Sequence, residues 1–168
     1  MEFEEPLQDR ESWFIGDACS MSKVLELLSS KTTFQVVREL FFGTTRFDDF
    51  VVRIGSSAPA VSRSLKQLES ARIVTRARYQ QPGRRARDEY RLTTAGEDLL
   101  PVFLSLVQWG DAHLQKGQAP LSFVHADSGQ AVEVRVTTDT EGSVMRSSDI
   151  RIRQSTPSQP RRQHGTST

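Results

Sequence analysis

Apolar residues recur at helical spacing in four short stretches of the first half of the chain. Met21, Val24, Leu25 and Leu28 follow i, i+3, i+4, i+7, with Ser20 placed to cap them. In TTFQVVRELFFG, Phe34, Val37 and Phe41 make one stripe with Val36 and Leu40 beside it, and Gly43 is a natural stop. Phe47, Phe50, Val51 and Ile54 form a third amphipathic stretch that ends at Gly55. SSAPAVSRSLKQLESA reads as a fourth helix, with Ser57 near its cap and Pro59 in its first turn, where a missing N–H does no harm.

Past Arg72 the period falls from 3.6 to 2. Ile73, Thr75, Ala77 and Tyr79 alternate with Val74, Arg76 and Arg78; after a Gln-Gln-Pro-Gly loop, Ala86, Asp88, Tyr90 and Leu92 alternate with Arg87, Glu89 and Arg91. This pattern predicts a β-hairpin whose inward face carries Ala77, Tyr79, Tyr90 and Leu92 and whose arginines point out. Thr94 and Glu97 have capping-box spacing and open a long helix to about Gln115, kinked at Pro101. Two apolar stripes are expected on it: Leu99, Phe103 and Leu106, then Leu100, Val107 and Leu114 with Trp109 close by. An edge helix needs one buried face, so the second stripe (Leu100, Val107, Trp109, Leu114) is assigned to contact with a second copy of the chain. Val132, Val134 and Val136 alternate between breaks at Asp127-Ser128-Gly129 and Glu141-Gly142, which predicts a small β-meander. From Gln154 on, Ser, Thr, Pro, Gln and Arg dominate and disorder is expected.

The resulting fold class is α+β, mostly α: a winged helix-turn-helix with a small β-rich C-terminal extension. Four regions are expected: an acidic N-terminal arm over 1–18, a winged helix-turn-helix domain for DNA binding and dimerisation over 19–116, the meander over 119–153, and a tail over 154–168.

Charge sharpens this picture. The chain carries a net charge of only +1, but residues 1–26 hold seven acids against Arg10 and Lys23, while residues 53–91 hold ten basic residues against Glu69, Asp88 and Glu89. One sign of charge gathered on two neighbouring elements is a footprint for a polyanion. On the fourth helix Val61, Leu65 and Leu68 face inward, so rotation by about 100° per residue puts Ser62, Arg63, Lys66 and Ser70 outside. Arg, Lys and Ser on one face suit the base edges of a major groove, which assigns base reading to Ser62, Arg63 and Lys66. Phosphate contacts are assigned to Lys31, Arg46, Arg78, Arg84, Arg85 and Arg87, with Arg84 and Arg85 at the hairpin tip.

These residues resemble the HxlR-type transcriptional regulators. The resemblance runs from Cys19 to about Leu114 and rests on the cysteine before the first helix, LLSSKTTFQVVRELFFGTTRFDDFVVRIG, VSRSLKQLESARIV, YRLTTAG and LLPVFLSLVQWGD. It implies a winged-helix homodimer that binds a palindromic operator in double-stranded DNA, with a recognition helix at 58–71, a wing at 79–87, and a dimer surface from the first and last helices of the core. It also makes Cys19 a candidate redox-sensing thiol. This chain departs from the family pattern where Thr32 replaces the usual tryptophan after Lys31, and where Ala71-Arg72 replaces an acidic-Gly pair.

Other functions leave weaker traces. No nucleophile motif or oxyanion turn is present, so an enzyme is not expected. One cysteine and three histidines on unrelated segments predict no metal site and no cofactor. With no signal peptide and no membrane-length apolar run, the expected compartment is the cytoplasm. The alternative is a protein-interaction module on the same scaffold, its arginines meeting an acidic protein surface.

Overall fold

The computed structural model describes residues 1–79, 87–115, 118–138 and 144–155, in two compact units, Met1–Thr93 and Thr94–Thr168. The first unit holds helices α1 (Glu5–Gln8), α2 (Ser20–Leu27), α3 (Lys31–Phe41), α4 (Phe47–Ile54) and α5 (Ala58–Ser70), then strands β1 (Val74–Tyr79) and β2 (Arg87–Leu92). The second holds α6 (Thr94–Glu97), α7 (Leu100–His113), β3 (Leu121–His125) and β4 (Ile150–Gln154).

The core of the first unit comes from the stripes seen in the sequence. Val36, Val37, Phe50, Val61, Leu65 and Leu68 are fully buried, and Leu40, Ile73 and Val74 nearly so. Polar groups buried among them are hydrogen-bonded, as burial demands. Ser30 caps α3 by accepting from the Thr33 N–H at 2.9 Å, and the Thr33 hydroxyl donates to Ser64 Oγ on α5 at 3.0 Å. Thr32, where the family favours tryptophan, shares a 3.2 Å hydrogen bond with Ser56 in the turn between α4 and α5. Glu39 is buried on α3; its carboxylate accepts from Arg38 at 2.8 Å and from the Thr44 hydroxyl at 3.1 Å.

The end of α5 is a Schellman motif: Ile73 N–H bonds to Leu68 O and Arg72 N–H to Glu69 O. Arg72 therefore stands in the left-handed region at φ 59°, a position where the family pattern has glycine. The N-terminal arm is also structured. Phe3 and Trp13 meet edge to face, Arg10 lies over both rings, and the Trp13 indole N–H donates to Leu7 O. At α2 the N-cap is Cys19 rather than Ser20, with no side-chain capping bond.

Three expectations for the second unit are corrected. The long helix from Thr94 breaks at Asp98-Leu99, and Pro101 falls in the first turn of a new helix, where it causes no kink. The apolar residues of α7 divide differently: Leu100, Phe103 and Leu104 are buried, whereas Val102, Leu106, Trp109 and Leu114 are exposed. Finally, β3 pairs with β4 antiparallel, and among the described residues the valine-rich stretch between them joins no strand beyond one bridge from Ala131 to Val124. Its backbone is met by a side chain instead: the Gln108 carboxamide accepts from Val134 N–H at 3.1 Å and donates to Val134 O at 3.3 Å. Gln154 completes β4, so the first residue expected to be disordered is in a strand; residues 156–168 and the Glu141-Gly142 turn lie outside the described residues.

Candidate nucleic-acid interface

Gly55, left-handed at φ 66°, ends α4, and Ser57 caps α5 two residues later by accepting from Ala60 N–H. This tight turn sets the two helices as a helix-turn-helix. Because Val61, Ser64, Leu65 and Leu68 fill the core, α5 turns Arg63, Lys66 and Ser70 to solvent with Ser62 half-buried beside them. Among the described residues, Arg63 and Lys66 make no hydrogen bond or ion pair within the chain, so both heads are available. Gln67 on the same face is already engaged: its Nε2 donates to Leu27 O at 3.0 Å and Glu26 O at 3.4 Å, closing the end of α2. Helical spacing alone did not reveal this tie, which joins residues forty positions apart.

The wing is arranged differently from the sequence expectation. Val74 pairs with Leu92, Arg76 with Tyr90 and Arg78 with Asp88, so these residues share one face. Thr75 and Ala77, expected to point inward, are exposed, while Val74 is buried. The register is fixed at the hairpin base, where Ile73 O accepts from Thr93 N–H and both Ile73 and Val74 enter the core. Arg76 thus lies beside Tyr90 and reaches Glu69 of α5 at 3.4 Å and Asp88 at 3.5 Å. Burial raises the Tyr90 phenol above its usual pKa, with the Arg76 guanidinium opposing.

Arg87 donates to Asp48 in the first turn of α4 at 3.1 Å, and Arg91 to Glu89 at 3.2 Å. Arg78 is exposed and makes no ion pair among the described residues. Lys31 opens α3 and Arg46 sits at the N-cap of α4, both exposed; Arg46 also bridges Glu89, so the chain before α4 lines the wing's edge. A cleft of about 490 Å³ lies here, walled by Arg46, Phe47, Asp48, Asp49, Arg87, Asp88 and Tyr90. Arg84 and Arg85 fall outside the described residues. The exposed ion pairs are each worth about 0–1 kcal/mol, small enough for a phosphate to replace the carboxylate.

Of the residues assigned to dimer contact, Leu100 is buried and does not belong with the others. Val107 is half-buried; Trp109 and Leu114 are exposed, and Val102, Leu106 and Trp109 share one stripe of α7. The sequence reading paired Leu106 with the buried Phe103 because spacing does not say which of two stripes faces in. On α2, Met21 and Leu25 are exposed as well.

Cys19 is partly exposed, and its thiol pKa is lowered, first by the Ser22 hydroxyl and then by backbone N–H groups at the start of α2. Hydrogen bonds from the helix start, rather than the nearby acids Asp17 and Glu26, set that direction. Among the described residues, no His/Cys/Asp/Glu group is arranged to hold a metal ion, and no helix is long and apolar enough to cross a membrane.

Comparison with known proteins agrees with this geometry. The HxlR-like helix-turn-helix family matches residues 27–118. A relative from Mycobacterium tuberculosis, an uncharacterised HTH-type transcriptional regulator, is 33% identical over 118 residues, which is 70% of this chain and 73% of the relative. The crystal structure of the transcription-factor candidate PA1607 superposes with a TM-score of 0.66 at 24% identity, covering 84% of this chain and 98% of that one, a likeness of fold. The oxidised form of the redox regulator HypR has a TM-score of 0.51 at 27% identity, covering 56% of this chain and 97% of its own.

Proposed function

This chain belongs to the HxlR-like helix-turn-helix family and is a transcriptional regulator on a DNA-binding fold, and on that premise we propose that it acts in the cytoplasm as a homodimer on a palindromic operator. The observation that carries this reading is the unpaired state of Arg63 and Lys66 on the outer face of α5, among the described residues. In this reading Arg63 and Lys66, with Ser62, contact base edges in the major groove. Lys31, Arg46, Arg78, Arg84, Arg85 and Arg87 hold phosphates and fix the register. The exposed residues Leu106 and Trp109 of α7 and Leu114 just after it, with Val107, meet a second copy, and the two recognition helices enter half-sites about 34–36 Å apart. Cys19 is the candidate redox-sensing thiol for an oxidant effector, with a small-molecule effector as the alternative.

A titration of labelled duplexes tests the assignment. Arg63→Ala is expected to relax sequence preference, costing about 1–3 kcal/mol at one base pair, whereas Arg78→Ala weakens all sequences alike. Unchanged affinity and preference in both variants would refute the site. A native protein that passes through heparin and random duplex DNA at low salt would instead favour the protein-interaction module. Trp109→Glu is expected to give monomers by light scattering; a monomeric native protein refutes the dimer.

A further inference from the structure

Two ion-pair ties join the wing to the helix-turn-helix, one to each helix. Arg76 reaches Glu69 of α5, and Arg87 reaches Asp48 of α4. The second tie is the more open: the Arg87 and Asp48 side chains are 60% and 74% exposed, against 49% and 35% for Arg76 and Glu69. The wing's root does not hang on it alone, because backbone pairing also holds that root. Tyr90 N–H donates to Thr45 O at 2.8 Å, and Arg46 bridges Glu89. What the Asp48 carboxylate does is offer Arg87 the same acceptor chemistry as a phosphate, since guanidinium binds both through charge-assisted N–H···O bonds. Both groups line the open cleft between the start of α4 and the wing.

We propose that Asp48 is an affinity-limiting residue that serves Arg87 as an internal counter-ion and yields it to a backbone phosphate when duplex DNA binds. The inference rests on the DNA-binding reading above and deepens it. Arg87 then adds less to affinity than a free arginine does, because each binding event must break the carboxylate pair. An exposed pair of this kind corresponds to a factor of about 1.4 to 5 in an equilibrium constant.

The test is a titration of one random and one selected duplex, across a salt series, with the native protein, Asp48→Asn, Arg87→Ala, the double variant and Asp49→Asn. Asp49 is the adjacent exposed acid in the same helical turn and controls for charge alone. Asp48→Asn is expected to tighten both duplexes about two- to fivefold. It should also steepen the salt dependence by up to about 0.9 in log–log slope. That gain should largely vanish in the Arg87→Ala background, and Asp49→Asn should give a smaller gain that survives there. Equal gains from Asp48→Asn with and without Arg87, or no gain while Arg87→Ala still weakens the native protein, would overturn the proposal and leave DNA binding standing. Failure of every variant, native protein included, to bind either duplex at low salt would overturn the DNA-binding reading itself, and this proposal with it.

Discussion

Replacing Arg72 by glycine should stabilise the protein. Arg72 sits at the C′ position after α5 with φ 59°, between two hydrogen bonds that fix the motif, Arg72 N–H to Glu69 O and Ile73 N–H to Leu68 O. Its own carbonyl accepts from the Thr93 hydroxyl at 2.6 Å, which holds the conformation from the other side. For a residue with a Cβ the left-handed region costs about 1–2 kcal/mol. Glycine removes that cost but loses about 0.5–1 kcal/mol through its greater freedom in the unfolded chain. The side chain is exposed and has no partner among the described residues, so its removal forfeits no contact there. The net expectation for Arg72→Gly is a gain of about 0–1.5 kcal/mol, centred at about 0.75, or roughly 0–6 °C in Tm for a chain of this size. Thermal and urea unfolding of Arg72→Gly, Arg72→Asn and Arg72→Ala check it. Glycine should stabilise most, asparagine less, and alanine not at all, since alanine keeps the Cβ. An alanine variant as stable as the glycine variant would show that the arginine's charge, rather than its backbone, carries the cost.

Other outcomes follow from single contacts. Thr33→Val leaves the buried Ser64 hydroxyl without its donor and is expected to cost about 1–3 kcal/mol in urea unfolding, whereas adding Ser64→Ala should recover part of that loss; additive losses would refute the coupling. The lowered thiol at Cys19 means that its thiolate forms at lower pH than an ordinary cysteine's, so alkylation by iodoacetamide should rise with a midpoint below that of an unperturbed cysteine in a short peptide. Ser22→Ala removes the largest cause and should move that midpoint up; an unmoved midpoint refutes the assignment. Gln108→Leu should speed amide hydrogen exchange at Val134 and leave Val124 in β3 unchanged, since only Val134 loses its partner.

Much of the fold was legible because it is local. The stripes of α3, α4 and α5, the Ser57 cap, Pro59 and the stop at Gly55 all depend on residues within a turn or two of each other. The wing's register was not. Ile73 and Val74 are both apolar, so alternation permits either phase, and the choice is made by the pairing of Val74 with Leu92. That one-residue change moved Arg76 from the expected outer face to a place beside Tyr90. The ties from Gln67 to α2 and from Arg87 to Asp48 span some forty residues and leave no periodic trace. On α7 two stripes compete at similar hydrophobicity, and spacing cannot say which one turns inward. The candidate base-reading face was readable because the opposite face of α5 is unambiguously apolar.

Glu39 ties the start of α4 to the wing. Its buried carboxylate holds the Thr44 hydroxyl while its backbone carbonyl accepts from Thr44 N–H, and the next residue, Thr45, accepts from Tyr90 of the wing. The start of α4 and the root of the wing therefore hang from one anchored corner. On the DNA-binding reading proposed above, this corner would act as the hinge pin of a caliper, tying the start of the helix-turn-helix to the wing before any DNA arrives. On that same reading, variation in operator spacing would fall to the contact between two protomers or to bending of the duplex, since the start of α4 and the root of the wing share one anchor.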